Sequence, residues 1–568
     1  MLVDLLIRDV RVFNSYRKRF IDADVAVLDG KFLYIGKKDT DKLEPKSVID
    51  GTGRYMVPGL IDIHLHIEST MITPSSFSYG IIQNGVTTIV PEPHEMANVF
   101  GVDGVKSMMD ASADCAVDMF YGIPSSVPAT SMETTGGEID IQDIDELMLS
   151  GNIQCLGEIM NYYDVISAPD SKTNRILAHV RQAYPHLIVE GHVPKLLDLE
   201  LQRMVYAGVD SDHTHQTVEG MEQRINAGMF VELQEKSMTQ EIINYVIEND
   251  VSEHFCFVTD DVMADKLLEE GHLNQLVQKA IHMGMKPEQA IYAATAAPAK
   301  RMQMKDRGLI APGKIADFIL LEDLHDFSIQ EVFKKGQLVY EKDAVKEQIV
   351  LERQFPSSYY ESIKLEELKS DDFLLLNEKE ASEASYRVME IKDGSTFTTE
   401  RHVRLAIEAG QVQWQEEGLA LVMTAERYGK NGNRAFGLLT GDMLKEGAIA
   451  TTYSHDNHNL LVIGRDVEDM VLAANEVIRN QGGICCVKDG QILSMVQLPV
   501  GGILSEAPLK EVAAQVSHLT KSIKSLGYKH YNVLMSISTL SLPVSPALKL
   551  TDHGYIRVNE GNIVPLGV

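Results

Sequence analysis

Two histidines, His64 and His66, stand one residue apart at the end of a short apolar run. In a β-strand, residues i and i+2 point to the same side, so both imidazoles can reach one point. Imidazole is a common ligand of divalent transition metals. A His-x-His pair is a weak signal by itself, and it indicates a metal site only if further ligands join it.

Further candidate ligands follow later apolar runs in the same way. Glu158 ends the fourth predicted strand, His192 the fifth, His213 the sixth and Asp260 the eighth. In a barrel of parallel strands these ends meet at one mouth, where barrel enzymes have their active sites. Four imidazoles and two carboxylates gathered there favour one or two divalent transition metals, and the lack of a cysteine ligand disfavours a thiolate site.

Two such ions that share a carboxylate and a water would lower the pKa of that water towards neutrality. Asp260 can contact a metal and also carry a proton from the water to a leaving group, which is general acid–base work. The residues therefore predict hydrolysis by a metal-activated hydroxide.

The elements that must position these residues lie between 57 and 307. Short apolar runs alternate there with amphipathic stretches, among them predicted helices at 74–84, 141–149 and 238–248. Eight strands alternating with helices predict a (β/α)8 barrel, with a doubly wound sheet as the competing fold. The positions of the polar residues favour the barrel. The eight runs are 60–65, 86–90, 116–123, 153–156, 187–189, 209–212, 229–233 and 255–258.

The segments on both sides of the predicted barrel differ from it. Residues 1–56 alternate in strand fashion around Asp-Gly turn signals, and residues 308–350 do so again, so we expect one small β-sandwich module built from both flanks. Residues 351–385 are rich in charge and predict a linker. Residues 386–568 predict a C-terminal α/β domain.

Composition excludes several classes of function. The 568 residues include 52 Lys and Arg against 82 Asp and Glu, so the net charge is −30. Such a chain repels phosphate backbones and anionic lipid heads, and we expect neither a nucleic-acid nor a membrane partner. Five cysteines without paired spacing, no signal-peptide pattern and no apolar run of about 18 residues predict a cytoplasmic protein with reduced thiols.

Several motifs resemble the adenine deaminase family of the amidohydrolase superfamily. The superfamily pattern is PGLIDIHLH at 58–66 and APGKIADF at 311–318. The family resemblance extends over nearly the whole chain, including the C-terminal domain. Its motifs are HIES at 66–69, PHEMANV at 93–99, GEIMN at 157–161, GHVP at 191–194, TDD at 259–261, SHDNHN at 454–459, QGG at 481–483, LPVGG at 498–502 and LPVSP at 542–546.

The resemblance implies a hydrolase of purine salvage that converts adenine to hypoxanthine and ammonia. It implies two Mn²⁺ or Fe²⁺ ions, and Zn²⁺ accepts the same ligands. His64, His66 and Asp260 would hold one ion, and His192 and His213 the other. Glu158 would bridge the two ions, hydroxide would attack C6 of the purine, and Asp260 would carry the proton to the amine, so that Asp260, Glu158 and His192 are the predicted catalytic residues.

Residues at the carboxyl ends of the barrel strands are expected to bind the substrate and determine its specificity. The candidates for purine binding are Glu68, Glu92, His94, Glu95, Gln234 and Asp261. Four positions depart from the family pattern: Glu92 where Asp is usual, Thr214 where Glu is usual, Gln234 where Arg is usual and Lys236 where Gly is usual. Because an Arg supplies a fixed charge and a bidentate donor, these changes leave open a hydrolase of another aminated heterocycle or cyclic amide. A non-catalytic purine or metal sensor is the third hypothesis.

The C-terminal domain carries one more candidate group, His455, Asp456 and His458. These residues could reach the barrel mouth, either from the C-terminal domain of the same chain or from a partner subunit. The alternative is a polar turn with satisfied hydrogen bonds. We expect the chain to form a homo-oligomer, as large hydrolases often do.

Overall fold

The computed structural model describes residues 1–344, 348–351, 353–377 and 380–568. Positions 345–347 of the predicted β-module and 352, 378 and 379 of the predicted linker lie outside the described residues. The centre of the molecule is a ring of eight parallel strands, so the predicted barrel is confirmed. Barrel strands 1 to 8 are Leu60–Leu65, Val86–Pro91, Asp118–Met119 with Tyr121–Ile123 as an interrupted third strand, Ile153–Ile159, Ile188–Gly191, Ser211–Asp212, Phe230–Leu233 and Phe255–Phe257.

The ring closes between barrel strands 1 and 8. The backbone amide of Asp260 donates to the carbonyl of His64 at 3.1 Å, and Leu65 pairs with Asp260 in parallel register. Every residue of barrel strand 1 is buried, because the barrel interior covers one face of the strand and helices cover the other. Closure therefore sets the first and last predicted metal ligands side by side.

Helices follow the strands around the ring. Some begin at side-chain caps, such as Asp140, whose carboxylate accepts the amides of Gln142 and Asp143. The predicted helices are present with ends that differ by one or two residues. The helices of this region are Pro74–Ile82, His94–Phe100, Val102–Ala111, Ile141–Met148, Tyr162–Ser167, Lys172–Ala183, Asp198–Ala207, Val218–Asn226, Gln240–Asn249, Ala264–Glu269, Leu273–His282, Pro287–Ala293 and Ala296–Arg301.

Both flanks of the barrel join in one eight-stranded sheet, as predicted. Phe318–Leu321, which follows the barrel, pairs antiparallel with Tyr55–Pro58, which precedes it. The other strands of this sheet are Leu2–Asn14, Arg19–Leu28, Lys31–Gly36, Glu44–Asp50, Ile329–Lys334 and Gln337–Glu341.

The C-terminal region is built on a mixed nine-stranded sheet. In sheet order its strands are Gln411–Val412, Ser395–Glu408, Glu383–Lys392, Arg434–Gly441, Ala420–Ala425, Leu460–Gly464, Ala448–Thr451, Gly483–Lys488 and Gln491–Gln497. A small sheet of Leu548–Thr551, Gly554–Arg557 and Asn562–Val564 and the helices Val467–Arg479, Leu509–Ser525 and Val533–Ser538 complete it.

The C-terminal helix Leu509–Ser525 packs against Ala264–Glu269 of the barrel. The loop at 452–459, between two central strands of the C-terminal sheet, is buried along its whole length. Within the described part of the chain, no helix combines the length and apolar character that crossing a bilayer requires.

Candidate metal centre at the barrel mouth

The predicted ligands converge on Glu158. Its Oε1 lies 3.5 Å from Nε2 of His66. Its Oε2 lies 2.8 Å from Nδ1 of His192 and 3.3 Å from Nε2 of His213. The two oxygens of one buried carboxylate thus face two different groups of histidines, which is the arrangement that a carboxylate bridging two cations requires.

Asp260 completes the first group. Its Oδ1 lies 3.6 Å from Nε2 of His66 and 3.9 Å from Nε2 of His64. The backbone of Asp260 has φ 57°, in the left-handed region that side chains other than Gly, Asn and Asp rarely adopt. This left-handed residue lies where the barrel closes, beside Leu65 of barrel strand 1.

The electrostatics of His64 and Glu158 fit metal binding. Burial, and then the neighbouring His213 imidazole, hold the pKa of His64 well below its usual value, and its Nε2 has no hydrogen-bond partner among the described residues. Burial alone would raise the pKa of Glu158, but the imidazoles of His213 and His192 lower it well below the ordinary value. Neutral imidazole and ionised carboxylate are the protonation states that bind a cation.

The candidate substrate residues fall into two sets. Glu92 accepts the backbone amide of Glu158 at 2.7 Å, and Glu68 accepts that of Met96 at 3.3 Å, so both acids brace the walls of the mouth. Asp261 accepts a hydrogen bond from Ser69.

His94 and Glu95 form the second set, at the first turn of the helix His94–Phe100. Nδ1 of His94 lies 3.9 Å from Oε1 of Glu158, so His94 borders the predicted ligand cluster. Glu95 points the other way, towards the C-terminal domain.

Two family models match the chain. The model of the adenine deaminase C-terminal domain matches residues 395–562, and that of the amidohydrolase family matches residues 55–339. Adenine deaminase 2 of Shouchella clausii is 58% identical over 569 residues, which cover 100% of this chain and 99% of that protein. Adenine deaminase of Clostridium perfringens is 46% identical over 571 residues, which cover 100% of both chains. This chain belongs to the adenine deaminase family.

The family predicted from the sequence motifs is therefore confirmed. Among solved structures, the β-aspartyl dipeptidase of Fervidobacterium islandicum AW-1 is 20% identical, with a TM-score of 0.47 over 60% of this chain and 97% of that chain.

The departures from the adenine deaminase motifs have local roles in the wall of the mouth. The Thr214 hydroxyl donates to Oδ2 of Asp212 at 3.0 Å. Nε2 of Gln234 donates to the backbone carbonyl of His213 at 2.6 Å. Nζ of Lys236, half-exposed, lies 3.8 Å from Oδ2 of Asp260. Thr214 and Gln234 therefore support the loop that carries His213.

Sequence reasoning missed Asp212. Its Oδ1 accepts the backbone amides of Val193 and Thr214, both at 3.0 Å, and these residues directly follow His192 and His213. Its Oδ2 lies 2.5 Å from Nε of Arg224, which is also buried. Little in the sequence pointed to it, because residues 209–212 read Val-Asp-Ser-Asp and include a second acid. Asp212 fixes two strand ends at once and is a positioning residue for both histidines.

The C-terminal domain of this family member enters the mouth through the loop at 452–459. His455 and His458 both contact the carboxylate of Glu95, one at each oxygen. Asp456 lies beside them, with Oδ1 3.9 Å from Nε2 of His94. The structure thus brings the candidate residues 455, 456 and 458 to the barrel mouth within a single chain.

Proposed function

We propose that this chain hydrolyses adenine to hypoxanthine and ammonia in a metal-dependent reaction. One observation carries the proposal: two ligand groups share Glu158 at the mouth of a barrel whose chain matches a protein named adenine deaminase along its full length. The reaction adds water across C6 of the purine, and the bond from C6 to the exocyclic nitrogen breaks.

We propose two divalent ions, Mn²⁺ or Fe²⁺, and Zn²⁺ accepts the same ligands. His64, His66 and Asp260 would hold one ion, His192 and His213 the other, with Glu158 between them. When bound, such ions supply hydroxide near neutral pH by lowering the pKa of water.

The chain's own residues would move the proton and orient the ring. Asp260 lies at the rim of the first ligand group and is the carboxylate that would take the proton from water and give it to the departing amine. His192 has a side chain that is 31% exposed, more than Glu158, His66 or His213, so of these residues it would be the most accessible to an entering purine. Glu68, Glu92 and Asp261 would border the bound ring.

Two of the changed positions, Thr214 and Gln234, do not call for another substrate. Thr214 and Gln234 direct their polar groups to Asp212 and to the His213 carbonyl, inside the wall. A hydrolase of another heterocycle therefore gains no support from these contacts.

The remaining predictions concern the cellular location of the protein, its oligomeric state and its domain boundaries. All five cysteines are free thiols, which is typical of a reducing compartment, and we propose the cytoplasm. The homo-oligomer stays a prediction, as do the domain boundaries at 56, 307, 350 and 385.

The test is adenine turnover by protein produced with Mn²⁺, followed by ultraviolet absorbance and by release of ammonia. His64→Asn and Asp260→Asn are expected to lower kcat/KM by about 10³-fold or more, because each removes a ligand and Asp260→Asn also removes the proton carrier. His518→Asn, at an exposed histidine of the helix Leu509–Ser525, is the matched control and should keep full activity. Absence of adenine turnover by the Mn²⁺-loaded enzyme would refute adenine as the substrate.

A further inference from the structure

A second cluster of metal-binding side chains lies where the barrel meets the C-terminal domain. His94 and Glu95 come from the barrel, and His455 and Asp456 come from the loop at 452–459. Each of the four offers one ligand atom, and these atoms all lie within 4.8 Å of one another. All four residues are buried.

The distances suit a single ion. Oε1 of Glu95 contacts Nδ1 of His455 and lies 3.5 Å from Nε2 of His94. Oδ1 of Asp456 lies 3.5 Å from Nδ1 of His455 and 3.9 Å from Nε2 of His94. Ligand atoms held at bonds of about 2.1 Å are themselves separated by roughly 3 to 4 Å. The four side chains need only small movements to meet one cation.

Unsatisfied polar atoms at the cluster are an independent observation. Oε1 of Glu95, the oxygen nearest to His94 and His455, makes no hydrogen bond among the described residues. Neither do Nε2 of His455 and Oδ2 of Asp456, the second polar atoms of those two side chains. Their side chains are only 6% and 2% exposed. A buried polar atom without a partner costs about 1–3 kcal/mol, so such atoms call for a ligand.

The residues around the cluster hold it in place. His458 donates through Nε2 to Oε2 of Glu95, the oxygen that faces away from His94 and His455. The hydroxyl of Ser541 donates to the backbone carbonyl of His455 at 3.1 Å. Hydrogen bonds of this kind, from the next layer of residues, orient metal ligands and are typical of built metal sites.

The cluster is separate from the proposed dinuclear centre but shares His94 with its wall. Nδ1 of His94 faces Glu158 at 3.9 Å, whereas Nε2 of the same ring faces Glu95 and Asp456. The two ends of this imidazole therefore point into two different groups of ligands.

We propose that His94, Glu95, His455 and Asp456 bind a third divalent transition-metal ion. The two carboxylates and two imidazoles together offer the oxygen and nitrogen atoms that a divalent transition-metal ion takes. Imidazole and carboxylate together favour Mn²⁺, Fe²⁺ or Zn²⁺. Because the ligands come from both domains, the ion ties the C-terminal domain to the barrel mouth.

The test is the metal content of the full-length protein after equilibrium dialysis against Mn²⁺, measured by elemental analysis. The expected content is three ions per chain, falling to two in His455→Asn and in Asp456→Asn and staying at three in the control His518→Asn. Diffraction data from Mn²⁺-loaded crystals, collected at the manganese absorption edge, should give an anomalous peak among the four side chains.

A wild-type content of two ions would overturn the proposal and leave a hydrogen-bonded network that only docks the domain. A third ion whose anomalous peak lies elsewhere, or a content of three that persists in His455→Asn, would overturn it as well. If the variants do not fold, the anomalous map of the wild-type protein decides alone. None of these readouts depends on adenine turnover, so failure of this proposal is distinguishable from failure of the proposed reaction.

Discussion

Replacing Asp212 with Ala removes the group that ties together the ends of barrel strands 5 and 6. The carboxylate accepts two backbone amides, and it also accepts Nε2 of Gln216 at 2.8 Å and Nε of Arg224 at 2.5 Å. Both charged side chains of the Asp212–Arg224 pair are at most 2% exposed. The Ala variant therefore leaves the Arg224 guanidinium buried without its counter-ion.

The magnitude follows from this burial. Breaking a buried ion pair by removing one partner costs about 3–5 kcal/mol. For a domain of about 250 residues, each kcal/mol shifts Tm by roughly 2–4 °C, so we expect Tm to fall by about 10 °C. The double variant Asp212→Ala/Arg224→Met removes the stranded charge and should recover at least about half of the loss, because neighbouring sites are not additive.

The assay is calorimetric unfolding of the metal-loaded protein together with the two single variants and the double variant. Asp372→Ala is the control, because Asp372 pairs with Arg434 at the same 2.5 Å but the two side chains are 31% and 33% exposed. An exposed pair is worth about 0–1 kcal/mol, so this control should unfold within a few degrees of wild type. A loss in Asp212→Ala no larger than in Asp372→Ala, or a double variant no more stable than Asp212→Ala, would refute the reasoning.

Two further changes test other parts of the chain. Lys549 is buried with Nζ 2.9 Å from the carbonyl of Thr396, and burial lowers its pKa to about 7. Because the unfolded chain keeps that proton up to about pH 10, the free energy of unfolding should rise with pH between about 7 and 10, and Lys549→Met should flatten this rise in a Tm–pH profile. An unchanged slope would contradict this assignment. Gln234→Ala removes the hydrogen bond to the His213 carbonyl and should weaken Mn²⁺ affinity about tenfold in equilibrium dialysis, with Tm nearly unchanged in the chelated protein. A change in KM for adenine without any change in Mn²⁺ affinity would instead make Gln234 a substrate contact.

The barrel, and the placement of the candidate ligands at its mouth, were predictable because both depend on local patterns. Parallel strands buried on both faces appear in sequence as short apolar runs, and a polar residue at the end of such a run lies at the mouth. His64, Glu158 and Asp260 could be assigned in this way without knowledge of any distant contact. The two-residue strand Ser211–Asp212 has the weakest pattern of the eight, since backbone pairing with its neighbours, rather than its composition, defines it.

The other half of the mouth was beyond local reasoning. His455 and Glu95 are 360 positions apart in the sequence. They meet only because the C-terminal domain docks on the barrel, and no spacing rule in the sequence predicts that docking. Asp212 looked like an ordinary polar residue, because its partner Arg224 comes into contact with it only when the following helix packs against the barrel. In both cases the informative contact joins separate elements, and only the folded chain brings those elements together.

The position of Glu95 gives a physical reason why barrel and C-terminal domain occur together in this chain. Burial alone would raise the pKa of Glu95, but the imidazoles of His455, His458 and His94 hold it well below its usual value. Two of those three imidazoles belong to the C-terminal domain. A barrel without that domain would leave the Glu95 carboxylate with His94 as its sole partner among these histidines. The domain is therefore part of the electrostatic balance of the site, and the mouth of the barrel is complete only when the loop at 452–459 is docked on it.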